Sequence, residues 1–449
     1  MKTYFLQFKL STVTSLLILC ALLFIQGCAD QHLPGVEITV QRQPAEFEEL
    51  EALWINWPPV DHKQGMSNEQ VMLQVIEAVT ESGLEVRIAA FDDELKQRAR
   101  GLVENQITSY NLVSFHIVPF YEWWVRDTGP AFVKIDTGEM AVVNFRFDAW
   151  GYLTPDDEDA QIDAAFARNL GMHLNMPVIE SELISEGGNR EVNGKGTLML
   201  TAAVEEGRNP GWSREEMEGE FERILGVSNV IWLEEGIIDD QHTFLGPLMT
   251  HKGVEAYTVL TTNGHIDEFA RFVDERTILL GYIPEEELEG DPIAQENHQR
   301  MERNYEILRN STDQDGNPFE IIRMPLTRSI VHTMQPGDYV YDIISTLDYT
   351  DGHEFPAGEE VYVIAAASYL NFVITPSVIM GQKYWEEGMD PIIRERDEEA
   401  KQILERVFPD RSVVMINAVP VNLGGGGLHC VTLHQPVSGE VGYPYEAEM

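Results

Sequence analysis

The 449-residue sequence has only three cysteines, Cys20, Cys28 and Cys430, and only 31 lysines and arginines against 75 acidic residues. Two of the cysteines fall within the first 28 residues, so the body of the protein carries one thiol with no partner, and internal disulfides are excluded. The formal net charge of −44 argues against nucleic acid, whose phosphates such a surface repels. The acids are spread through segments such as "EEMEGEFERI" and "RERDEEAKQI" rather than gathered in one tail. They read as a general acidic coat suited to high salt. No GxGxxG or P-loop pattern opens a helix, which leaves nucleotide binding without support, and neither HExxH nor CxxC is present to suggest zinc. The apolar run of residues 13–25, "VTSLLILCALLFI", falls short of the roughly 20 residues that a membrane-spanning helix needs.

That short run has another use. Lys2 and Lys9 precede it and "IQGC" follows it, the layout of a bacterial lipoprotein signal in which the new N-terminal cysteine is acylated. Residues 1–27 are therefore expected to be a signal peptide, Cys28 the lipidated residue, 28–43 a polar tether and 44–449 a single domain. The product would be exported and anchored to a membrane by its lipid alone, on the periplasmic or cell-surface face.

From "LWINW" onward, short apolar runs alternate with helical patterns to the end of the chain, which makes the class α/β. Helices are expected near 69–81 and 94–103, over "SREEMEGEFERIL", "PIAQENHQRMERNYEILR" and "RERDEEAKQILERVF", with strands such as "LEVRIAA", "GTLMLT", "NVIWL", "SYLNFVI" and "SVVMINAV" between them. Ser67 followed by Gln70 suggests a capping box. Helix-plus-strand units recur every 60 to 90 residues or so, which fits either a doubly wound sheet or a ring of repeated units.

Five stretches concentrate reactive side chains: "WWVRDTGPAF" with Asp127, "FRFDAWG" with Asp148, "SEGGNREVNGKGTLML" with Glu186, "TNGHIDEFARF" with His265 and Asp267, and "GGGGLHCVTLHQP" with Cys430. Cys430 follows a glycine run that lets backbone approach a ligand, and a solitary cysteine with a histidine elsewhere forms a nucleophile-base signature. A buried free cysteine is otherwise a small hydrophobe. His265 and Asp267 are two apart, so an extended strand would aim both at one cavity. Zinc would have to use His265, Asp267, Glu186 and Cys430, without a zinc spacing to support it. Arg126 and Asp127 on a turn would ordinarily form a local salt bridge. Two aspartates facing one cavity would instead suit a planar guanidinium cation.

In this order the blocks resemble the agmatine deiminases, of the guanidine-modifying superfamily that also holds the bacterial peptidylarginine deiminases. The likeness runs from "PAEFEELEALWINWP" through "WVRDTGPAF", "FDAWG", "EGGNREVNGKGTLMLT", "NGHIDEFARFV" and "SYLNFVI" to "GGGGLHCVTLHQP". It implies a five-unit α/β propeller (pentein) with a central active-site channel. It further implies hydrolysis of agmatine to N-carbamoylputrescine and ammonia through a covalent cysteine thiouronium, with Cys430 as nucleophile, His265 as general acid and base, and Glu186 as its partner. Asp127 and Asp267 would grip the guanidinium, and Trp124, Asn371 and Asp148 would line the pocket. The resemblance implies no metal and no organic cofactor, and the partner would be a small guanidine or an arginyl peptide. A homo-oligomer is compatible with it.

The chain departs from the family at "FDAWGY", where "FNAWGG" is usual, and in extra stretches around 241–260 and 342–360 that are expected to reshape the rim. Export favours a peptidylarginine deiminase. Those enzymes hold a peptide carboxylate with arginines just after the block matching "FRFD", and here that place reads "AWGYLTPDDED". A non-catalytic surface lipoprotein would have lost an essential side chain, and none is missing. An amidinotransferase would use the same chemistry with an amine in place of water.

Overall fold

The computed structural model describes residues 38–154 and 156–438. Helix ends in it follow from local chemistry. The helix Asn68–Glu81 starts at Ser67, whose hydroxyl accepts the Gln70 N–H at 3.4 Å. The reciprocal box is instead complete at Ser213, where the Glu216 carboxylate returns to the Ser213 N–H at 2.8 Å. That helix, Arg214–Leu225, stops at Gly226, whose φ of 66° suits a residue without a side chain. Pro292–Asn310 and Pro391–Val407 each open on proline behind an aspartate cap, Asp291 and Asp390.

Five of the six sheets among the described residues repeat one pairing. A first strand runs antiparallel to a central strand, and the central strand runs parallel to a third. The sets are Ala131–Ile135, Met140–Arg146, Val178–Ile184; Glu191–Val192, Thr197–Thr201, Asn229–Leu233; Ala270–Phe272, Thr277–Tyr282, Glu320–Pro325; Val373–Ile374, Val378–Lys383, Ser412–Asn417; and Leu433–Pro436, Leu50–Asn56, Glu85–Ala90. Each parallel pair is joined through at least one helix, as a parallel crossover requires. The fifth set joins the last strand to the start of the domain and carries a fourth strand, Val113–Ile117. The architecture is α/β, built on a repeated βαβ unit with an added antiparallel strand.

The sixth sheet comes largely from the two extra stretches and their flanks: Leu248–Met249 and Glu255–Thr258 pair with each other, and the second of them with Val361–Ile364, which pairs with Val331–Met334. Between them Tyr257, Tyr349, His353 and Phe355 form an aromatic cluster, with Tyr257 Oη and His353 Nε2 2.6 Å apart.

Three local expectations change. Val40–Arg42 is a strand paired with Ala131–Ile135, so ordered structure begins inside the stretch read as tether. "GHID" is not extended: His265 caps a single turn of tight helix, Ile266–Glu268. In "SYLNFVI" only Val373–Ile374 pairs as strand, and Asn371 lies in the loop before it. Residues 1–27, read above as a signal peptide, and Cys28 lie outside the described residues.

Candidate active site

The repeat explains why residues so far apart in sequence meet. In every unit the reactive side chain sits in the loop just before the first, antiparallel strand: Asp127 before Ala131, Glu186 before Glu191, His265 and Asp267 before Ala270, Asn371 before Val373, and Cys430 before Leu433. The five loops converge. Glycine permits the approach: a Cβ on Gly188 would lie 2.5 Å from His265 Nδ1, 2.9 Å from Asp127 Oδ1 and 3.1 Å from Asp267 Oδ2. One on Gly426 would meet Cys430 Sγ at 2.8 Å and the Trp124 ring at 3.1 Å. The glycine run ahead of Cys430 is therefore a packing requirement, and Trp124 is a wall beside the thiol.

Asp127 lies in the short helix Val125–Thr128, with Oδ1 accepting from the Gly188 N–H and Oδ2 from the Trp150 indole, both at 2.8 Å. Trp150 reaches it from a turn in which Ala149, Trp150 and Gly151 all have positive φ, of 52°, 57° and 82°. Two of these three are not glycine, so the turn stores backbone strain to aim one indole at one carboxylate. Asp148 accepts from the Gly151 N–H at 2.9 Å and faces Arg208 at 3.6 Å. It shapes this turn and reaches the buried site through Arg208, which also bonds Glu186 at 2.8 Å. Arg126 does not pair with Asp127; its guanidinium bonds Glu46 at 2.5 Å and His434 at 2.7 Å.

His265 is fully buried, with Nδ1 3.7 Å from Asp127 Oδ1 and Nε2 3.5 Å from Glu186 Oε2. Burial opposes its charge, but Asp127, Glu186 and Asp267 outweigh that and raise its pKa to about 9. Glu186 is also fully buried; burial pushes it up, yet Arg208 at 2.8 Å and His265 hold it well below the usual carboxylate range. The loop bearing His265 is pinned by Asp240, which accepts from the Thr262 hydroxyl at 2.7 Å and the Gly264 and His265 N–H groups at 2.9 and 3.0 Å.

Cys430 is 3% exposed, and its thiol accepts from the Asn371 amide at 3.2 Å and lies 3.6 Å from Asp267 Oδ2. Burial, then Asp267, Glu268 and Asp127, push the thiol well above its ordinary value. Without a cation the site therefore holds a thiol. Asp267 is lowered: burial raises it, but the hydrogen bond from His429 at 2.7 Å, His265 and Arg271 prevail. Glu268 is the reverse, raised by burial and by Asp267, Asp240 and Asp239. Its Oε1 accepts from Asn371 at 2.9 Å.

Several polar atoms gathered here are buried without a hydrogen bond: both His265 nitrogens and Glu186 Oε2, which face their partners only at ion-pair distance, and the carboxylate oxygens Asp267 Oδ1 and Glu268 Oε2. Buried polar groups are normally satisfied, so the open carboxylate oxygens mark where a ligand with N–H donors fits, beside an imidazolium that can donate. Two clusters have donor atoms close enough for a metal, Glu46 with His429 and His434, and Asp267 with Glu268 and Cys430. In the first, Arg126 and Arg271 already hold Glu46. In the second the Asn371 amide bonds both the thiol and Glu268. Neither fits an ion, and neither is the set the sequence suggested for zinc.

Sequence reasoning missed Glu46, Arg208, Arg271, Trp150, Glu268 and His429. The last two adjoin residues it had marked, and adjacency was the available signal. Glu46 and Arg271 carried none.

Both sequence and structure are similar to known proteins. Residues 42–245 and 248–436 match the Porphyromonas-type peptidyl-arginine deiminase family. The chain is 30% identical over 407 residues to an agmatine deiminase of Pseudomonas putida, covering 88% of this chain and 95% of that protein. It is 28% identical over 406 residues to one of Pseudomonas aeruginosa, with coverage of 88% and 95%. Among solved structures, the agmatine deiminase of Enterococcus faecalis superposes with a TM-score of 0.65 at 25% identity, over 88% of this chain and 95% of that one. A family match across nearly the whole described domain, and relatives this similar over almost their full length, place the chain in the agmatine deiminase family, among the Porphyromonas-type peptidyl-arginine deiminases.

Proposed function

We propose that the protein hydrolyses the guanidine of agmatine to N-carbamoylputrescine and ammonia through a thiouronium on Cys430. The observation that carries this reading is the convergence of Cys430, His265, Glu186, Asp127 and Asp267 from four repeat units onto one buried spot with open carboxylate oxygens. Guanidinium is a poor electrophile because its charge is delocalised. Asp127 and Asp267 would hold it in plane beside the sulfur, and its positive charge would offset the carboxylates that keep Cys430 protonated, so that the thiol gives up its proton to bulk water as the cation binds. Once the thiolate attacks the central carbon, His265 protonates the departing nitrogen, which leaves as ammonia. His265 then takes one proton from water as the water oxygen attacks the thiouronium. The adduct collapses to the neutral ureido product, and its remaining hydroxyl proton goes to the departing sulfur, which restores the Cys430 thiol and the charged His265. Glu186 keeps the imidazole oriented and charged between turnovers. The reading includes the finer fold that goes with it, a five-unit propeller around the site, supported by the fivefold repeat of one strand pairing.

A small substrate suits the rim better than a peptide. The aromatic cluster of Tyr257, Tyr349, His353 and Phe355 joins the two extra stretches, and the first of them continues to His242, whose Nε2 lies 2.8 Å from the Trp150 carbonyl. That contact sets the first stretch against the turn that aims Trp150 at Asp127. Incubation with agmatine, free arginine and arginyl peptides, followed by assay of ureido product, is expected to show agmatine as the preferred substrate; turnover of peptides alone would refute the assignment. Removing residues 348–354 should open the rim and give measurable peptide turnover, with agmatine turnover reduced less than tenfold, roughly the scale of a lost positioning contact.

We further infer that the mature protein is exported and held to a membrane by acyl chains on Cys28, on the strength of the "IQGC" pattern. Radiolabelled palmitate should enter the wild-type chain in cells and not the Cys28→Ser variant; equal labelling of both would overturn it.

A further inference from the structure

Behind the guanidinium site lies a second constellation that the mechanism does not use. Glu46, from the segment just after the first strand, is surrounded by cationic and titratable groups: Arg126 at 2.5 Å, Arg271 at 2.6 Å, His429 at 2.9 Å and His434 at 3.2 Å. Arg126 immediately precedes Asp127, His429 immediately precedes Cys430, and Arg271 is the middle residue of the strand Ala270–Phe272 that follows Asp267. One carboxylate thus ties together three of the five converging loops. Glu191, paired with Arg271, completes its surroundings.

His429 is the critical link, because both its ring nitrogens face carboxylates. Nδ1 is 2.7 Å from Asp267 Oδ2, and Nε2 is 2.9 Å from Glu46 Oε1. Ionised carboxylates only accept hydrogen bonds, and a neutral imidazole has one N–H to give. With two ionised carboxylates and a neutral ring, one of these contacts would set lone pair against lone pair. The row therefore holds one proton more than that. Against burial, Arg126 and Arg271 hold Glu46 ionised, and Asp267 is lowered as well, so the geometry leaves the extra proton at the ring, each of whose nitrogens then donates to one carboxylate. A cavity of about 40 Å³ bordered by Pro44, Glu46, Arg126, Glu191 and His434 lies at the outer end of the row.

We propose that Glu46 and His429 are positioning residues for the deimination: through the row Glu46, His429, Asp267 they hold one proton behind the guanidinium site and so set the charge that Cys430 feels. This rests on the reading of Cys430 as nucleophile. Asp267 Oδ2, 3.6 Å from the sulfur, takes its hydrogen bond from His429, which leaves Oδ1 unpartnered for the substrate. The N-terminal segment of the domain is on this account part of the catalytic apparatus and not merely an edge of a sheet.

The test needs no substrate. Cys430 is alkylated with iodoacetamide across pH in the full-length wild type, Glu46→Gln and His429→Gln, with circular dichroism to check folding. Removing the Glu46 charge should stabilise the thiolate and move the alkylation midpoint down by about half a pH unit, a threefold or so faster reaction near neutrality; removing the proton-holding ring should move it up by a similar amount. Glu46→Asp keeps the charge but shortens the reach to His429, and its midpoint should also move, by less than that of Glu46→Gln. A purely structural role predicts lower thermal stability with no opposed shifts, so midpoints that stay put or move in one direction overturn the proposal. Because no guanidine is present, failure of the wild type to turn over agmatine would count against the substrate assignment and leave the alkylation result standing.

Discussion

Replacing Cys430 with serine is expected to abolish ammonia release from agmatine, with a loss of at least about a thousandfold, because the alcohol is a far weaker nucleophile than the thiolate at any pH the fold survives. The exchange is nearly isosteric. The side chain is 3% exposed, and serine can keep the hydrogen bond from Asn371, so thermal stability should change little. Agmatine should still bind, since Asp127 and Asp267 are untouched, and calorimetry on the variant would measure that binding free of turnover. Mass spectrometry of an acid-quenched reaction supplies the positive control: the wild type should carry an adduct on the peptide containing Cys430, and the serine variant none. Unchanged ammonia release would refute the nucleophile assignment outright. Loss of binding together with loss of turnover would point instead to a disturbed pocket, which the melting temperature would reveal.

What the sequence made legible, and what it hid, follows from how information about burial is written along the chain. Cys430, Asp127 and His265 stood out because each lies beside glycines that tight convergence demands, and glycine clusters are visible in one dimension. The strand and helix alternation was visible for the same reason, since period and caps are local. The spacing of His265 and Asp267 suggested one face of a strand, whereas a positive φ of 107° at Gly264 and a turn of tight helix aim them at the same cavity by another route. Glu46 could not be singled out. It sits in "PAEFEE" among glutamates of identical appearance, and what distinguishes it is contact with His429, 383 positions away. The pairing of the last strand with Leu50–Asn56 is equally non-local, and so is the sheet that the two extra stretches build together. Asp148 is a different case. As an extra carboxylate in a matched block it reads as a pocket residue, and the structure sets it on a strained turn and against Arg208, which also bonds Glu186.

The second large effect expected is at His265. His265→Gln should lower turnover by about a hundredfold to ten-thousandfold, the range over which a positioned acid or base contributes. One imidazole serves both half-reactions, giving a proton to the departing nitrogen and later taking one from water, so neither formation nor breakdown of the adduct escapes. Rapid-quench measurement of adduct on Cys430 should show slow formation in the variant; turnover within tenfold of wild type would exclude the role. Stability offers an independent reading with a definite sign. The folded pKa of about 9 lies above the ordinary histidine value of 6.5, so the charged ring stabilises the fold fully below about pH 6.5, and that contribution is lost as pH rises through 9. Its ceiling, at 1.36 kcal/mol per pH unit, is about 3 kcal/mol. Buried acids away from the site are common to both proteins and cancel in the difference. Asp127, Asp240, Glu186 and Asp267, which the His265 charge lowers against burial, shift upward on its loss and keep the gap below that ceiling without changing its sign. The gap between wild type and His265→Gln in chemical denaturation should therefore be widest near pH 6 and close toward pH 9. A gap independent of pH would mean that the imidazole is neutral in the resting enzyme, and the acid that expels ammonia would have to be sought elsewhere among the buried carboxyls, beginning with Glu268.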